Sequence, residues 1–330
     1  MLSRDPQEYV QGVLQRDKRI IAKTITLIES SLHEHQELAR KIIDLLLPNT
    51  GNAVRLGVTG VPGAGKSTFI EGLGTLLVRK GHSVAVLAID PSSKRSGGSI
   101  LADKTRMEKL SAAEKAYIRP SPAGSTLGGV ARKTRETMMV CEAAGYDVII
   151  VETVGVGQSE TAASSMVDFF LVLMLAGAGD EIQGIKKGVL EMADAIVVNK
   201  ADGINLEKAK VARRQYESAI KLLSPASPNW SPVVRICSSL EESSFGIEEI
   251  WQEVLRHREI VTQSGELEAK RRKQALDWMW FLIEEGLHER FYGNAEIQKM
   301  LPKISRDVER GDTAPTYAAY KLLFSLDKQI

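Results

Sequence analysis

The hydrophobic pattern changes period twice along the chain. Val10, Val13 and Leu14, then Ile20, Ile21, Thr24, Ile25 and Ile28, recur at helical spacing. Leu38, Ile42, Leu45 and Leu46 do so again. Residues 7–47 therefore predict helix, with a second helix from about His35 to Leu47. Pro48-Asn-Thr-Gly51 supplies breakers that end it. From residue 54 the pattern becomes short apolar runs at 54–59, 84–89, 147–151, 168–175, 195–198 and 233–236. Near-continuous runs of this kind suit strands buried on both faces. Helical patterns separate them, which predicts an α/β domain with a mainly parallel sheet flanked by helices. Ligands of such sheets sit at the carboxyl ends of the strands. Residues 117–129 read as a polar, Gly-rich loop entering a helix over 130–144, with Ser125 and Thr126 as capping candidates. The stretch from 246 to about 260 reads as the last helix of this domain.

Beyond Gly265 the pattern is helical only. Leu276, Trp280, Ile283, Leu287 and Phe291 form one stripe along 266–291, and Trp278, Phe281 and Leu282 add apolar surface outside it. That is more than one stripe needs, so this helix is expected to be buried on two sides, as in a self-pairing arm. Two further helical patterns cover 294–310 and 315–326. The expected organisation is a helical N-terminal extension over 1–50, an α/β domain over 51–262 and a helical C-terminal dimerisation arm over 263–330. The extension either packs on the core or gates the site.

Composition narrows the class. The chain has 330 residues, 43% of them hydrophobic, enough for a substantial core. A formal charge of +1 gives no bulk field favouring nucleic acid or an anionic membrane. Cys141 and Cys237 are isolated, which argues against a disulfide scaffold or zinc knuckle and fits a reducing compartment. The start lacks a signal-peptide pattern. The apolar run 169–176 is far short of the about twenty residues that a membrane-spanning helix takes. A soluble cytoplasmic protein is expected, binding neither nucleic acid nor membrane.

Candidate chemistry begins at Gly60-Val61-Pro62-Gly63-Ala64-Gly65-Lys66-Ser67-Thr68, which matches G-x-x-x-x-G-K-[ST] between a predicted strand and a predicted helix. Its glycines let the backbone wrap a phosphate, and the helix start adds its positive end. Lys66 can reach β- and γ-phosphates, and Ser67 can ligate Mg²⁺. Asp90 ends the next strand, where it can bind Mg²⁺ or cap the turn before Pro91. Asp103, taken alone, is an ordinary surface acid. Glu152 ends the strand at 147–151, and Gly155 follows three residues later. This is the layout of a metal-orienting acid with a switch glycine whose N–H can contact a γ-phosphate. Residues 176–188 carry four glycines among charges of both signs, and read either as a mobile loop near the phosphates or as a surface loop. Asn199-Lys200-Ala201-Asp202 follows another strand. Asp202 can accept from guanine N1–H and N2–H₂, donors that adenine lacks. Asn199 can meet the purine N7 edge, and Lys200 can cover the ring. Ser238, Ser239 and Leu240 are placed to line a guanine. Together these predict a P-loop NTPase fold that binds GTP.

With Asp90-Pro-Ser-Ser, Glu152-Thr-Val-Gly-Val-Gly-Gln158 and Asn199-Lys-Ala-Asp202 behind the P-loop, the sequence resembles the MeaB/ArgK family of P-loop GTPases over nearly its whole length. The resemblance implies GTP and GDP as ligands, with Mg²⁺ near Ser67, Asp90, Asp103 and Glu152. From the motifs themselves, Lys66, Glu152 and Gly155 are the expected catalytic set. The resemblance implies a homodimer joined through the C-terminal segment. It also implies GTP hydrolysis coupled to guarding an adenosylcobalamin-dependent methylmalonyl-CoA mutase. No glutamine directly follows Gly155, so hydrolysis is expected to be slow without a partner. Three other readings remain open. One is a kinase of lysine/arginine/ornithine transport components, for which no H-R-D or D-F-G set is present. Another is a nickel-insertion accessory GTPase, which would want clustered His or Cys. The last is a non-catalytic nucleotide-binding scaffold.

Overall fold

The computed structural model describes residues 5–89, 107–120, 127–153, 159–176, 187–222, 227–240 and 244–327. The N-terminal pattern resolves into α1 (Pro6–Leu14), α2 (Lys18–Glu29) and α3 (His33–Leu46). The apolar periodicity of 10–28 suggests one helix, but the structure breaks it at Arg16, which takes φ 60°. The cause is Asp17. Its carboxylate accepts from the backbone N–H of Arg19 at 2.7 Å and of Ile20 at 3.3 Å, starting a new helix. Ile21, Ile25, Leu27, Ile42 and Leu46 are fully buried and belong to the same hydrophobic core as the sheet. Each contributes about 1.5–3 kcal/mol by leaving water. Further ties run from the extension to the sheet side. Arg119 donates through two nitrogens to Glu29, Lys18 Nζ donates to the Ala116 carbonyl at 3.2 Å, and Arg16 lies over the Tyr146 ring.

The described residues form a seven-stranded sheet in the order β3-β2-β4-β1-β5-β6-β7, with every neighbouring pair parallel. The strands are β1 (Val54–Gly60), β2 (Val84–Ile89), β3 (Ala116–Arg119), β4 (Val148–Thr153), β5 (Phe169–Leu175), β6 (Ala195–Asn199) and β7 (Val233–Ile236). Six of these coincide with the apolar runs. The exception is β3, which overlaps the start of the stretch read as a loop over 117–129. Its four residues, Ala-Tyr-Ile-Arg, include one β-branched residue and one buried position, a weak strand signal. The helices are α4 (Lys66–Arg79), α5 (Glu108–Ala112), α6 (Leu127–Ala143), α7 (Ser159–Ser164), α8 (Lys187–Glu191), α9 (Leu206–Ile220) and α10 (Ile247–Gln263). At the base of β1, Arg55 grips the almost fully buried Glu142 of α6 with two bonds, 2.6 and 2.9 Å. The Gly51 N–H adds a third at 2.8 Å. A buried acid is tolerable only with such partners.

The chain divides into two compact units, Met1–Glu268 and Ala269–Ile330. The second holds most of α11 (Glu266–Gly293) together with α12 (Ala295–Glu309) and α13 (Pro315–Asp327). Asn294 caps α12 by accepting from Glu296 and Ile297 N–H groups. A small core of Ile297, Ile304, Ala318 and Leu322 holds α12 and α13 together. Leu276, Trp280, Ile283 and Leu287 on α11 stay exposed, as do Tyr317, Tyr320, Leu323 and Phe324 on α13. Among the described residues no helix is long and apolar enough to cross a membrane.

Candidate functional site

The central strand β1 delivers the chain into the glycine-rich turn. Gly60 has φ 152°, and a Cβ there would lie 2.3 Å from the Leu173 carbonyl oxygen of β5. Only glycine lets the strand pass that oxygen and turn. Gly65 caps α4 in the left-handed region at φ 84°, and a Cβ on it would meet the Asn199 side-chain nitrogen at 2.9 Å. The turn itself is closed by the Ala64 N–H donating to the Val61 carbonyl at 3.1 Å. Val61 and Ala64 are buried, Gly65, Lys66 and Ser67 are half-buried, and Pro62, Gly63 and Thr68 are exposed. The free N–H groups at the start of α4 and its positive end face the same side as the turn.

Lys66 bends back over this turn. Its Nζ donates to the carbonyls of Gly60 at 2.9 Å and Val61 at 3.4 Å. Burial pulls the Lys66 ammonium below its usual range, and the carboxylates of Glu152 and Glu160 oppose that pull. Beside it, Ser67 Oγ donates to Glu152 Oε1 at 3.2 Å. The β1–β4 register pairs Val58 with Glu152, so the acid of one strand stands next to the turn of the other. Glu152 itself is buried. A hydroxyl and a carboxylate oxygen thus converge beside the lysine, a hard oxygen pair of the kind Mg²⁺ takes. Among the described residues no group of three or more His, Cys, Asp or Glu gathers at metal-binding distance. Asp90, Asp103, Gly155 and Gln158 lie outside the described residues, as do Ser125, Thr126 and most of the 176–188 loop.

The second half of the site comes from the ends of β6 and β7. Asn199 is fully buried. Its Nδ2 donates to the Ala64 carbonyl at 2.8 Å, while its Oδ1 accepts from Ser239 Oγ at 2.9 Å and from the Cys237 thiol at 3.3 Å. These donors and acceptors fix which way the amide points. Lys200 takes φ 57°, a backbone region seldom used by residues with a Cβ, and its stem lies beside Gly65. Asp202 is half-buried, and its Oδ2 accepts from Ser238 Oγ at 2.8 Å, which leaves Oδ1 for a second partner. Ser238 is held by two backbone bonds with Phe245, and the Ala201 N–H donates to the Cys237 carbonyl. Leu240 is exposed and borders a groove of about 740 Å³ that Thr68, Ser239 and Phe245 also line.

The P-loop residues, Glu152, Asn199, Lys200, Asp202, Ser238 and Ser239 therefore stand at one edge of the sheet, the carboxyl ends of β1, β4, β6 and β7. Sequence reasoning overlooked three parts of the arrangement. The Ala64 carbonyl and the Cys237 thiol serve Asn199, and no spacing rule points to either. Glu160, at the start of α7, is a buried acid near Lys66. Its only sequence signal is its place two residues after Gln158.

A family model described as methylmalonyl Co-A mutase-associated GTPase MeaB matches residues 21–296. The GTPase ArgK of Escherichia coli is 46% identical over 308 residues, covering 93% of this chain and 92% of that protein. The mouse methylmalonic aciduria type A homolog, mitochondrial, is 45% identical over 323 residues, covering 94% of this chain and 77% of the relative. The crystal structure of a LAO/AO transport system kinase is 39% identical, superposes with a TM-score of 0.78 and covers 99% of both chains. The fold, the P-loop and the matched length agree: the chain belongs to the methylmalonyl-CoA mutase-associated GTPase family MeaB.

Proposed function

We propose that this protein is a GTP-binding and GTP-hydrolysing switch whose client is an adenosylcobalamin-dependent methylmalonyl-CoA mutase, which it protects as a chaperone. The observation that carries the guanine reading is the orientation of Asp202. Ser238 occupies one carboxylate oxygen and leaves the other free to accept from a base. Guanine offers N1–H and N2–H₂ there, whereas adenine offers no donor pair. Asn199 keeps one amide N–H after serving Ala64, suited to the purine N7. Lys200 lies where its stem can cover the ring, with Ser238, Ser239 and Leu240 around the base.

The P-loop residues 60–68 would hold the phosphates through backbone N–H groups, with Lys66 on the β- and γ-oxygens. Ser67 and Glu152 are the described residues that fit Mg²⁺, and the family resemblance adds Asp90 and Asp103. Mg²⁺ held there supplies neutralising charge as the phosphoryl group leaves. Glu152 orients the metal side of the site, and Gly155 serves as the switch position. The mutase client is supported by the family description. Slow hydrolysis alone and faster hydrolysis with the client follow from the lack of a glutamine directly after Gly155.

Homodimerisation through the arm is supported by the exposed apolar face of α11, where Leu276, Trp280 and Leu287 are each more than half exposed. Trp280→Glu is expected to give a monomer by light scattering, and an unchanged mass would sink the arm as the interface.

The deciding experiment is GTP turnover by the purified protein with and without methylmalonyl-CoA mutase, with ATP as control. GTP-selective turnover raised by the mutase supports the reading. Equal single-turnover rates in both conditions overturn the client. A second reading, phosphate transfer to amino-acid transport components, draws on the name of the similar transport system kinase. Labelled phosphate on a binding protein, lost in Lys66→Ala, would favour it.

A further inference from the structure

The central strands are joined to their outer neighbours for longer than to each other. Backbone pairing between β1 and β5 runs on to Gly60 with Leu173, and pairing between β4 and β2 runs on to Thr153 with Ile89. Between β1 and β4 it stops at Val58 with Glu152. The next pair is closed by side chains. Thr153 Oγ1 donates to Thr59 Oγ1 at 2.7 Å, and both residues are buried.

Thr59 immediately precedes Gly60, where the turn begins, and Thr153 immediately follows Glu152. The bond therefore ties together the two segments that supply Ser67 and Glu152. The turn between Thr59 and Ser67 is itself stiffened, by Lys66 Nζ on the Gly60 carbonyl and by Asn199 Nδ2 on the Ala64 carbonyl. A change in the gap between the strand ends thus reaches the Ser67 Oγ and Glu152 Oε1 pair, which stand 3.2 Å apart. Two hydroxyls meet here at 2.7 Å, whereas two methyl groups settle at about 3.5–4.0 Å. The hydroxyls hold the strand ends about 1 Å nearer than apolar side chains of the same shape would. Mg²⁺ demands near-ideal octahedral geometry, so an oxygen pair displaced on that scale binds it poorly.

We propose that Thr59 and Thr153 are positioning residues, which set the spacing of Ser67 and Glu152 and through it the affinity of the site for Mg²⁺. The proposal rests on the reading of the site as one for Mg²⁺ and a guanine nucleotide, and it names two residues which that reading does not use. The effect falls on the gain in nucleotide affinity that Mg²⁺ brings. Binding in EDTA, which runs through the backbone of the turn and the base side, stays almost unchanged.

The test uses the full chain and the variants Thr153→Ser, Thr153→Val, Thr153→Ala and Thr59→Val/Thr153→Val. Affinity for a fluorescent, non-hydrolysable GTP analogue is measured in Mg²⁺ and in EDTA, with the melting temperature of each protein. Thr153→Val is expected to cut the gain on adding Mg²⁺ about tenfold, with affinity in EDTA moved less than about threefold. Thr153→Ser, which keeps the hydroxyl, is expected to retain the wild-type gain. The double valine variant leaves no orphaned hydroxyl, so its melting temperature should lie nearer the wild type than that of Thr153→Val. Its Mg²⁺ gain should stay low, because the two side chains still cannot close to hydroxyl distance. A wild-type gain in the double variant overturns the proposal. So does a loss in Thr153→Ser as large as in Thr153→Val, or a loss that is equal in Mg²⁺ and EDTA. If the valine variants do not fold, Thr153→Ala decides by the same ratio: a reduced gain supports the proposal and a wild-type gain overturns it. A wild type that binds no GTP analogue, or binds it equally with and without Mg²⁺, fails the reading of the site and takes the proposal with it.

Discussion

The Asn199 side chain donates to the Ala64 carbonyl oxygen at 2.8 Å, across a sequence separation of 135 residues. The bond ties the end of β6 to the P-loop, the proposed base half of the site to the proposed phosphate half. Asn199→Ala removes that donor and also strips Ser239 and Cys237 of their acceptor. Each orphaned buried group costs about 1–3 kcal/mol. We expect Asn199→Ala to lower the urea midpoint and to weaken fluorescent GDP binding together. A change in nucleotide affinity with no change in midpoint would show that Asn199 acts on the base alone.

Base choice is open to a sharper test at Asp202. Ser238 donates to one oxygen of this carboxylate. In Asp202→Asn the amide oxygen would keep that bond and the amide nitrogen would face the base. Guanine then meets a donor with donors, while xanthine offers a carbonyl at C2. We expect GTP affinity to fall by about 2–4 kcal/mol, one to two lost hydrogen bonds with their desolvation. Xanthosine triphosphate should bind the variant better than the wild type. Competition binding with both nucleotides measures the exchange, and parallel losses for the two would place Asp202 away from the base.

Metal dependence follows from the Ser67 and Glu152 pair. In the wild type, EDTA should weaken GTP binding and abolish turnover. Ser67→Ala should reduce the gain in affinity on adding Mg²⁺ by about tenfold or more, since one of few oxygen ligands is lost. Titration of GTP affinity against Mg²⁺ checks this, and an unaltered Mg²⁺ dependence in Ser67→Ala would remove the serine from the ligand set.

The two cysteines make a prediction about reactivity. Burial pushes both the Cys141 and Cys237 thiols up to about 12. At pH 8 each remains protonated, and the thiolate is the nucleophile. Iodoacetamide at pH 8 should leave the native protein unlabelled and label both sites after unfolding in urea. As pH rises toward 12 the thiolates would form, so alkylation should accelerate only in strong alkali. Rapid native labelling at Cys237 would mean that the packing around Asn199 opens.

How much of this was legible in the residues depends on how far each signal reaches. Six strands announced themselves through apolar, β-branched runs, longest where both faces are buried, as Val84–Ile89 shows, and still present as Val233, Val234 and Ile236 in the four-residue edge strand β7. β3 did not, because its sequence, Ala-Tyr-Ile-Arg, holds a single β-branched residue and runs directly into the polar, Gly-rich stretch. The break at Arg16 was hidden because helical spacing continues across it, while the deciding event is the Asp17 carboxylate turning to cap the next helix. Within the site, Lys66, Glu152 and Asp202 were named by motifs whose spacing is local. The partners that orient Asn199 come from distant strands and turns, and only the fold brings them together.

The order of the strands bears on how the protein is made. The residues proposed for the phosphates stand at the ends of β1 and β4, those proposed for the base at the ends of β6 and β7, and among the described residues β7 is an edge strand and the last in the chain. A growing polypeptide therefore completes its P-loop early but lacks a place for guanine until residues near 240 have emerged and paired. Closing contacts across so much chain is slow, because the entropy of the intervening loop is lost before the contact forms. On the proposed site, guanine recognition is thus expected only once β7 has paired, late in synthesis.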